Sequence, residues 1–519
     1  MPTLGQAAKT RLPFAQAART SVCLCAAALL LLVAGRMSAA EGAVKPPKPD
    51  ILLIMPDQMR GDCLSVLGHP AVRTPHIDAL ARQGTLFRRA YSPVPSCIPA
   101  RYAMLTGLDP QTSGVVGYKN KQIDVPTMPE LLGGAGYATA LVGRNMHQTY
   151  GGRPDGYQKR RMGSTYVADD DYDRDLKKAA PGCGGIRSVV ATLGVSNNGW
   201  KANPWPLADP LHPTAWIAAQ SRRMVAEAPT DQPLFLTASF YAPHPPLFPP
   251  KRYFDACLHN KNLPPAAHAD WVDWKSLLPD KGPAGHWVLL QGETLRRAQA
   301  GYFGLIEQLD DQIAPLIAEF KARSARAGRP WLIVLTSDHG EMLGDHGYFR
   351  KCEPYEGAAN VPLVIAGSPE LGFRPGQRSF QPVCLEDILP TLLDLAGVKP
   401  AAAIDGVSLA PALRGEDRPI RPWLHFEHAP CYGEEQAFHA LTDGHMKYIW
   451  RPSSGREQLF DLDHDPREEH DLAPVEAHRQ TLQRWRATLV ERLAGRPEGF
   501  SDGSRLIPGR PYPPLQTRP

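Results

Sequence analysis

Three short, predominantly apolar runs stand out along the chain, at residues 50–55, 234–240 and 331–336. Runs of this length without regular alternation are typical of parallel strands that are buried on both faces. Between the second and third runs, Leu305, Leu309 and Ile313 recur at helical spacing. Because strands alternate with helices, we predict an α/β fold in which a large, mostly parallel sheet is sandwiched by helices.

After about residue 400 the pattern changes to shorter segments. Residues 438–441 and 446–450 flank an Asp-Gly pair, which is typical of a β-hairpin, and residues 458–462 predict another strand. One face of an amphipathic helix follows, marked by Leu482, Trp485, Leu489 and Leu493. These elements predict a smaller C-terminal α+β domain that packs on the first.

The first forty residues have the features of a targeting segment. Basic residues precede an apolar run of fourteen residues at 22–35, and Ser38-Ala39-Ala40 offers a small-x-small cleavage pattern. Fourteen residues are too few to span a bilayer comfortably, although an uncleaved anchor is the alternative. We therefore expect a signal peptide, export to the periplasm or secretion, and no membrane span in the mature form.

Composition and pattern together predict five segments. They are a signal peptide (1–40), a stiff polar spacer (41–49), a large domain (50–400), the smaller domain (401–497) and an extended tail (498–519). Removal of residues 1–40 leaves 53 basic and 53 acidic residues. A neutral chain has no general attraction to polyanions, so we expect no nucleic-acid partner.

Seven of the nine cysteines lie beyond the predicted cleavage site. An odd number means that at least one is unpaired or chemically special, and the pairing of the others stays open. The sequence has no Cys-x-x-Cys pair, so a structural zinc site is not expected.

One acidic stretch resembles the beginning of a calcium-binding helix–loop–helix. Asp171, Asp173 and Asp175 have the right spacing, but Leu176 and Gly182 stand where that loop needs a glycine and a bidentate glutamate. We therefore predict a solvated acidic loop here.

Cys97 stands at the predicted beginning of a helix. Pro99 suits the first helical turn, where its missing N–H costs nothing, and the free N–H groups of that turn favour an anion. Arg101 lies four residues after Cys97 and therefore on the same helix face. A nucleophile, a helix N-terminus and a guanidinium together suit a tetrahedral oxyanion; a buried cysteine beside a solvated arginine is the alternative.

Polar residues also follow the apolar runs. Asp57, His244 and Asp338 each stand just beyond a predicted strand. Ligands bind beyond the carboxyl ends of the strands in parallel sheets, so we expect these side chains to meet at one site.

The stretch Cys97-x-Pro99-x-Arg101, followed by Leu-Thr-Gly at 105–107, resembles the signature of the type I sulfatases in the alkaline-phosphatase-like superfamily. Further motifs match in the expected order between about residues 50 and 473, namely Asp57-Gln58, Pro243-His244-x-Pro246, Asp338-His339-Gly340, Lys351 and Phe460-Asp461-Leu462. The resemblance implies an alkaline-phosphatase-like fold, with the domain at 50–400 as the catalytic domain of a sulfuric ester hydrolase.

The same resemblance implies two cofactors. In this family the cysteine is converted to formylglycine by a dedicated enzyme, which is therefore an expected partner during maturation. It also implies one calcium or magnesium ion, held by Asp57, Gln58, Cys97, Asp338 and His339. Carboxylate and amide oxygens suit such a hard cation, whereas His339 would also admit another metal.

Catalytic roles are implied residue by residue. His244 and Lys351 would assist the leaving alcohol, His147 would take the proton that drives sulfate expulsion, and Arg101 and Arg144 would hold sulfate oxygens. Arg144 replaces the lysine that is common in the family; it keeps the charge but cannot donate a proton.

Two departures bear on the substrate. Gln58 and His339 stand where relatives more often have Asp and Asn, and this combination is also found in relatives that hydrolyse phosphonate monoesters and phosphodiesters. The spacing around Arg144 and Lys351 is similar to that of iduronate-type sulfatases. We therefore expect hydrolysis of a sulfated carbohydrate or aryl sulfate, with phosphonate or phosphodiester hydrolysis as the alternative. A glycan-binding protein with an unconverted Cys97 is a third interpretation.

Overall fold

The three apolar runs form strands of one sheet, as predicted, and the structure shows that they are neighbours in it. The computed structural model describes residues 47–146, 155–277, 279, 287–400 and 402–516. The strands of the larger part are β1 (Asp50–Asp57), β2 (Gly84–Phe87), β3 (Ala90–Tyr91), β4 (Ala138–Gly143), β5 (Lys159–Met162), β6 (Leu234–Pro243), β7 (Trp331–Thr336), β8 (Leu363–Gly367), β9 (Gln377–Ser379) and β10 (Val383–Cys384). Strands β3 and β10 pair with each other, and the others form an eight-stranded sheet in the order β5-β4-β6-β1-β7-β8-β2-β9.

This sheet is mostly parallel. Strand β1 runs parallel to β6 and β7, whereas β8 is antiparallel to both β7 and β2. Residues of β1 alternate between the two sides, so that Leu52 and Ile54 enter one apolar core and Ile51 and Leu53 enter the other. Both faces are therefore buried, which explains why the strand shows a continuous apolar run.

Helices supply the other wall of each core. They are α1 (Pro75–Gln83), α2 (Cys97–Thr106), α3 (Pro110–Ser113), α4 (Met128–Gly134), α5 (Asp171–Ala179), α6 (Ile186–Thr192), α7 (Pro213–Glu227), α8 (Lys251–Leu258), α9 (Gly292–Arg326), α10 (Glu356–Ala359), α11 (Ile388–Leu395), α12 (Ala410–Leu413) and α13 (Arg479–Leu493). Helices α1, α7 and α9 pack on the Leu52 side, and α2, α4 and α11 pack on the Ile51 side. The α/β sandwich is confirmed.

A second, antiparallel sheet follows near the C-terminus. Its strands are β11 (Leu424–His428), β12 (Phe438–Thr442), β13 (Met446–Trp450) and β14 (Glu457–Asp461), paired in that order. The hairpin predicted around Asp443-Gly444 joins β12 to β13. Apolar residues of α13 cover one side of this sheet, and Phe500 and Tyr512 of the tail are buried in the same cluster. The smaller α+β part is confirmed.

The acidic stretch is a helix, so the prediction of a solvated loop was wrong. The side chain of Asp170 caps α5 by accepting a hydrogen bond from the N–H of Asp173 at 2.8 Å. Asp173 is buried and accepts another from the N–H of Ile186 at 2.7 Å. Acidic side chains suit a helix N-terminus because the N–H groups there have no intrahelical partner. Their sequence pattern alone does not distinguish this use from a loop.

The predicted segment boundaries stay predictions. The signal peptide and most of the spacer lie outside the described residues, and residues 48–519 group as one compact unit. Within the described part of the chain, no helix has the length and apolar character needed to cross a membrane.

Arg323 and Asp50 form an ion pair at the beginning of β1, with side chains no more than 1% exposed. Asp50 also accepts hydrogen bonds from the Ser324 hydroxyl and the Leu234 N–H, each at 2.8 Å. Arg323→Ala leaves a buried carboxylate without its charge partner, so we expect the free energy of unfolding to fall by about 3–5 kcal/mol. Urea unfolding measures this. Arg326→Ala, at an exposed position of α9, is the control, and equal losses in the two variants would contradict the assignment.

Candidate active site

The predicted site residues meet at the carboxyl edge of the large sheet. Asp57 is the last residue of β1, His244 follows β6 directly, and Asp338 comes two residues after β7. Because these three strands are parallel neighbours, their ends lie side by side. Cys97 is the first residue of α2, as predicted, and all four side chains are buried.

Arg101 holds the two carboxylates together. Its Nη2 donates to Asp57 Oδ2 at 2.6 Å and its Nε donates to Asp338 Oδ2 at 2.9 Å. Its Nη1 donates to the carbonyl oxygen of Asn145 at 2.9 Å. Arg144 also donates to Asp57 Oδ2. Burial would raise the pKa of Asp338, but His339 and Arg101 outweigh it and hold that pKa well below its usual range.

Four side chains offer a set of metal ligands. One ligand atom from each of Asp57, Cys97, Asp338 and His339 lies within 4.8 Å of the others. The Nδ1 of His339 is 2.9 Å from the carbonyl oxygen of Gly340, to which it donates. This orients the ring, so that its Nε2 faces Cys97 Sγ at 3.2 Å.

Gln58 is oriented by Glu341, a residue that the sequence motifs did not point to. Its φ of 65° turns the chain at the strand end, and its Oε1 accepts a hydrogen bond from Lys351 Nζ at 3.0 Å. Its Nε2 donates to Glu341, whose other oxygen accepts from the N–H groups of Leu343 and Arg350. The sequence feature that could have indicated this role is the position of Glu341 directly after Asp338-His339-Gly340.

Cationic groups surround the Cys97 thiol. The Nζ of Lys351 lies 3.2 Å from Cys97 Sγ. Burial and Asp57 oppose the thiolate, but Lys351, Arg144 and His339 outweigh them, so the pKa of Cys97 lies well below its ordinary value. This site therefore stabilises negative charge at position 97.

His244 and Lys351 form a hydrogen-bonded pair. The Nδ1 of His244 donates to the carbonyl oxygen of Pro245 at 2.6 Å, so its Nε2 accepts from Lys351 Nζ at 3.0 Å. Burial and the nearby Lys351 lower the pKa of His244 to about 3, which keeps the ring neutral at physiological pH.

A cavity of about 360 Å³ opens beside this cluster. Tyrosine, asparagine and cationic side chains form its wall, namely Tyr118, Arg144, Tyr166, Asn197, Asn198, Tyr241, His244, Arg350, Lys351, Cys431 and Tyr432. Within the described ranges this wall contains no carboxylate. Arg144 lies 5.1 Å over the ring of Tyr241, and Arg350 lies 5.2 Å over that of Tyr432.

The C-terminal sheet reaches the site through His428 of β11. Its Nδ1 donates to the carbonyl oxygen of Ala429, so its Nε2 accepts from the Ser96 hydroxyl at 2.8 Å. Ser96 is the N-cap residue of α2, yet its side chain makes no capping hydrogen bond. The helix N-terminus at Cys97 is therefore not capped by Ser96. His147 lies outside the described residues, so its predicted role stays a prediction.

The mostly parallel sheet, with a cysteine at a helix start beside buried carboxylates at its carboxyl edge, matches the alkaline-phosphatase-like fold that the sequence motifs imply. The Sulfatase family profile matches residues 49–398, and a profile described as N-sulphoglucosamine sulphohydrolase, C-terminal, matches residues 344–494. The chain therefore belongs to the sulfatase family and is a sulfuric ester hydrolase.

Known relatives agree with this assignment. An arylsulfatase of Clostridium perfringens is 34% identical over 490 residues, which cover 90% of this chain and 99% of that protein. Iduronate 2-sulfatase of Homo sapiens is 25% identical over 399 residues, covering 67% of this chain and 69% of that protein. Among solved structures, the phosphonate monoester hydrolase of Agrobacterium radiobacter superposes with a TM-score of 0.73 and has 24% sequence identity. The match covers 86% of this chain and 96% of that one. At that identity the last likeness shows the fold alone.

Glu341→Gln tests whether the carboxylate positions Gln58. An amide cannot accept all three hydrogen bonds that Glu341 accepts, so we expect the rate of sulfate release to fall about 10- to 100-fold. Glu386→Gln is a matched control, because burial raises the pKa of that carboxyl to about 8 and it is already neutral at pH 7. An unchanged rate in folded Glu341→Gln protein would refute the positioning role.

Proposed function

We propose that this sulfatase removes sulfate from a sulfated carbohydrate or aryl sulfate, through formylglycine made from Cys97 and with one calcium or magnesium ion. The observation that carries the proposal is the set of ligand atoms of Asp57, Asp338 and His339 around Cys97 Sγ. The set lies beside a cavity wall that carries cations and no carboxylate among its described residues.

The donor set fits a hard divalent cation. Arg101 occupies the Oδ2 atom of each aspartate, so the Oδ1 atoms face inwards, 3.9 and 3.7 Å from His339 Nε2. Asp57, Asp338, His339, the group at position 97 and the amide oxygen of Gln58 would hold the ion. When bound, it would neutralise the carboxylates and lower the pKa of a hydroxyl at position 97.

Conversion of Cys97 supplies the nucleophile in this proposal. The hydrated aldehyde offers one hydroxyl to attack sulfur and a second through which the sulfate is later expelled. The maturation enzyme is thus an expected partner, and its action fits an exported protein with the targeting features of residues 1–40. The Ser96 side chain makes no capping hydrogen bond at the start of α2, so the free N–H groups there would stabilise a negative charge at position 97.

Lys351 is the group to which we assign the proton for the leaving alcohol. His244 is neutral and its Nε2 accepts from Lys351, so it fixes the direction of the ammonium group. Burial lowers the pKa of Lys351, but the charge on Cys97 outweighs it and raises that pKa. Loss of the thiolate on conversion would therefore make Lys351 a better acid. His147 keeps the role that the resemblance implies.

The two arginines that bond to the carboxylates, Arg101 and Arg144, have different roles in this proposal. Each nitrogen of Arg101 already donates to a protein oxygen, so we assign it to holding the carboxylates and not to a sulfate contact. Arg144 lies in the cavity wall and is the better candidate for binding sulfate oxygens, together with Lys351.

The cavity also bears on the substrate. The faces of Tyr241 and Tyr432 are next to the protein's own guanidinium groups, which disfavours a cationic alcohol there. A panel of sulfated saccharides and aryl sulfates, with aryl phosphonates and phosphodiesters for comparison, tests the proposal. Faster turnover of the phosphorus esters would overturn it.

Cys97→Ala should abolish sulfate release and leave the fold intact, because the side chain is the reaction centre. Cys97→Ser should lose multiple turnover: serine can attack sulfur but has no second hydroxyl, so a covalent sulfate ester should accumulate. Mass spectrometry and product release measure both outcomes. Cys257→Ala, a buried cysteine on α8, is the control and should stay active. Near wild-type turnover in folded Cys97→Ala protein would defeat the assignment.

Removal of the cation should lower the melting temperature and turnover together. Without it, the inward-facing carboxylate oxygens of Asp57 and Asp338 repel each other, and binding to the folded state alone stabilises that state. Calcium or magnesium should restore both properties. Asp338→Asn should weaken metal affinity more than His339→Asn, because it removes a charge. Full activity in protein that elemental analysis shows to be metal-free would sink the assignment.

A further inference from the structure

Two cysteines meet at the wall of the active-site cavity. Cys352 follows Lys351 directly, and Cys431 lies three residues after β11. Their thiols form a side-chain hydrogen bond with each other, and both are unbridged in this structure. They are far apart along the chain, so only the fold brings them together.

We propose that Cys352 and Cys431 are a modification site at which a disulfide forms in the mature, exported protein. The cross-link would join the loop that carries Lys351 to the segment that carries Tyr432, which are two parts of one cavity wall. The sequence left the pairing of its cysteines open, and neither residue has a role in the proposed hydrolysis.

The backbone on each side holds the thiols in place. The N–H of Cys352 donates to the carbonyl oxygen of Pro95 at 2.9 Å, next to the start of α2. On the other side, the N–H of Ala429 donates to the carbonyl oxygen of Val116 at 2.7 Å, and the N–H of Tyr432 donates to Gln436 Oε1 at 2.9 Å. These hydrogen bonds are present while the two thiols are still unbridged.

The two thiols differ in a way that suits disulfide exchange. Cys431 is partly exposed at the cavity, whereas Cys352 is fully buried. The hydrogen bond from Cys352 and the charge of Lys351 lower the pKa of Cys431 despite its burial, and burial raises the pKa of Cys352. Cys431 is thus both the accessible thiol and the better nucleophile.

The chemistry needs an oxidant, which we take to be a disulfide compound such as oxidised glutathione or an exported thiol–disulfide oxidoreductase. The Cys431 thiolate attacks one sulfur of that disulfide and releases one thiol. Cys352 then attacks Cys431 Sγ, releases the second thiol and completes the bond. Two cysteine thiols lose two protons and two electrons, and the oxidant becomes two thiols.

Three of the other thiols contact groups other than cysteine. Cys63 donates to Asp62 at 3.4 Å, Cys183 accepts from the Gly185 N–H at 3.4 Å, and Cys384 hydrogen-bonds to Glu386. Cys384 is fully buried and is therefore a matched control for Cys352.

The test is peptide mass spectrometry of the full mature chain after treatment with oxidised glutathione and alkylation of free thiols. We expect a cross-linked peptide that contains Cys352 and Cys431, with the loss of two titratable thiols. Cys431→Ser, at a partly exposed position, and Cys352→Ser should each lose the cross-link, and Cys384→Ser, the buried control for Cys352, should keep it. Folding of each variant is checked by thermal unfolding.

Full alkylation of both cysteines after oxidation would overturn the proposal. So would Cys431 bound to glutathione beside an alkylated Cys352, because the second step would then have failed. The readout is a peptide mass and requires no turnover. A cross-link in an inactive enzyme would therefore count against the proposed function alone, and its absence from an active enzyme would count against the disulfide alone.

Discussion

The active site depends on two buried carboxylates that are held side by side. The ligand atoms of Asp57 and Asp338 lie within 4.8 Å, where like charges repel by about 3.5 kcal/mol at an effective dielectric near 20. Arg101 offsets this by donating to the Oδ2 atom of each. Its guanidinium also orients both groups, since their Oδ1 atoms then face the same space.

This constraint connects the site to the fold. The two aspartates end up adjacent because β1 and β7 are parallel neighbours, and Arg101 reaches both because α2 begins at the same sheet edge. The helix start is then available to stabilise negative charge, since the Ser96 hydroxyl is engaged with His428 and makes no cap. One geometry thus concentrates two carboxylates and compensates them with a guanidinium and a helix N-terminus.

Much of this could be predicted from the sequence. The apolar runs marked β1, β6 and β7, Pro99 and Cys97 marked a helix start, and the family motifs pointed to Asp338, His244 and Lys351. Contacts between distant residues could not be predicted: Glu341 beside Gln58, His428 beside Ser96, and Cys352 beside Cys431 all depend on tertiary packing. The prediction of a loop at the acidic stretch failed for another reason. Residues such as Asp170 and Asp173 are equally common at helix N-termini and in loops, so the sequence does not separate the two.

The C-terminal sheet supports the active site by contacting the segment that carries Lys351. Lys351 stands in the segment between β7 and β8. Lys447 of β13 donates to the carbonyl oxygen of Pro354 at 3.1 Å, and Arg451 forms an ion pair with Glu353 at 3.1 Å. Both contacts are buried, so they are weakly screened by solvent and hold the loop firmly. The loop that carries Lys351 is therefore held by residues about one hundred positions further along the chain, while its ammonium group is directed by His244 and Gln58 at the edge of the large sheet.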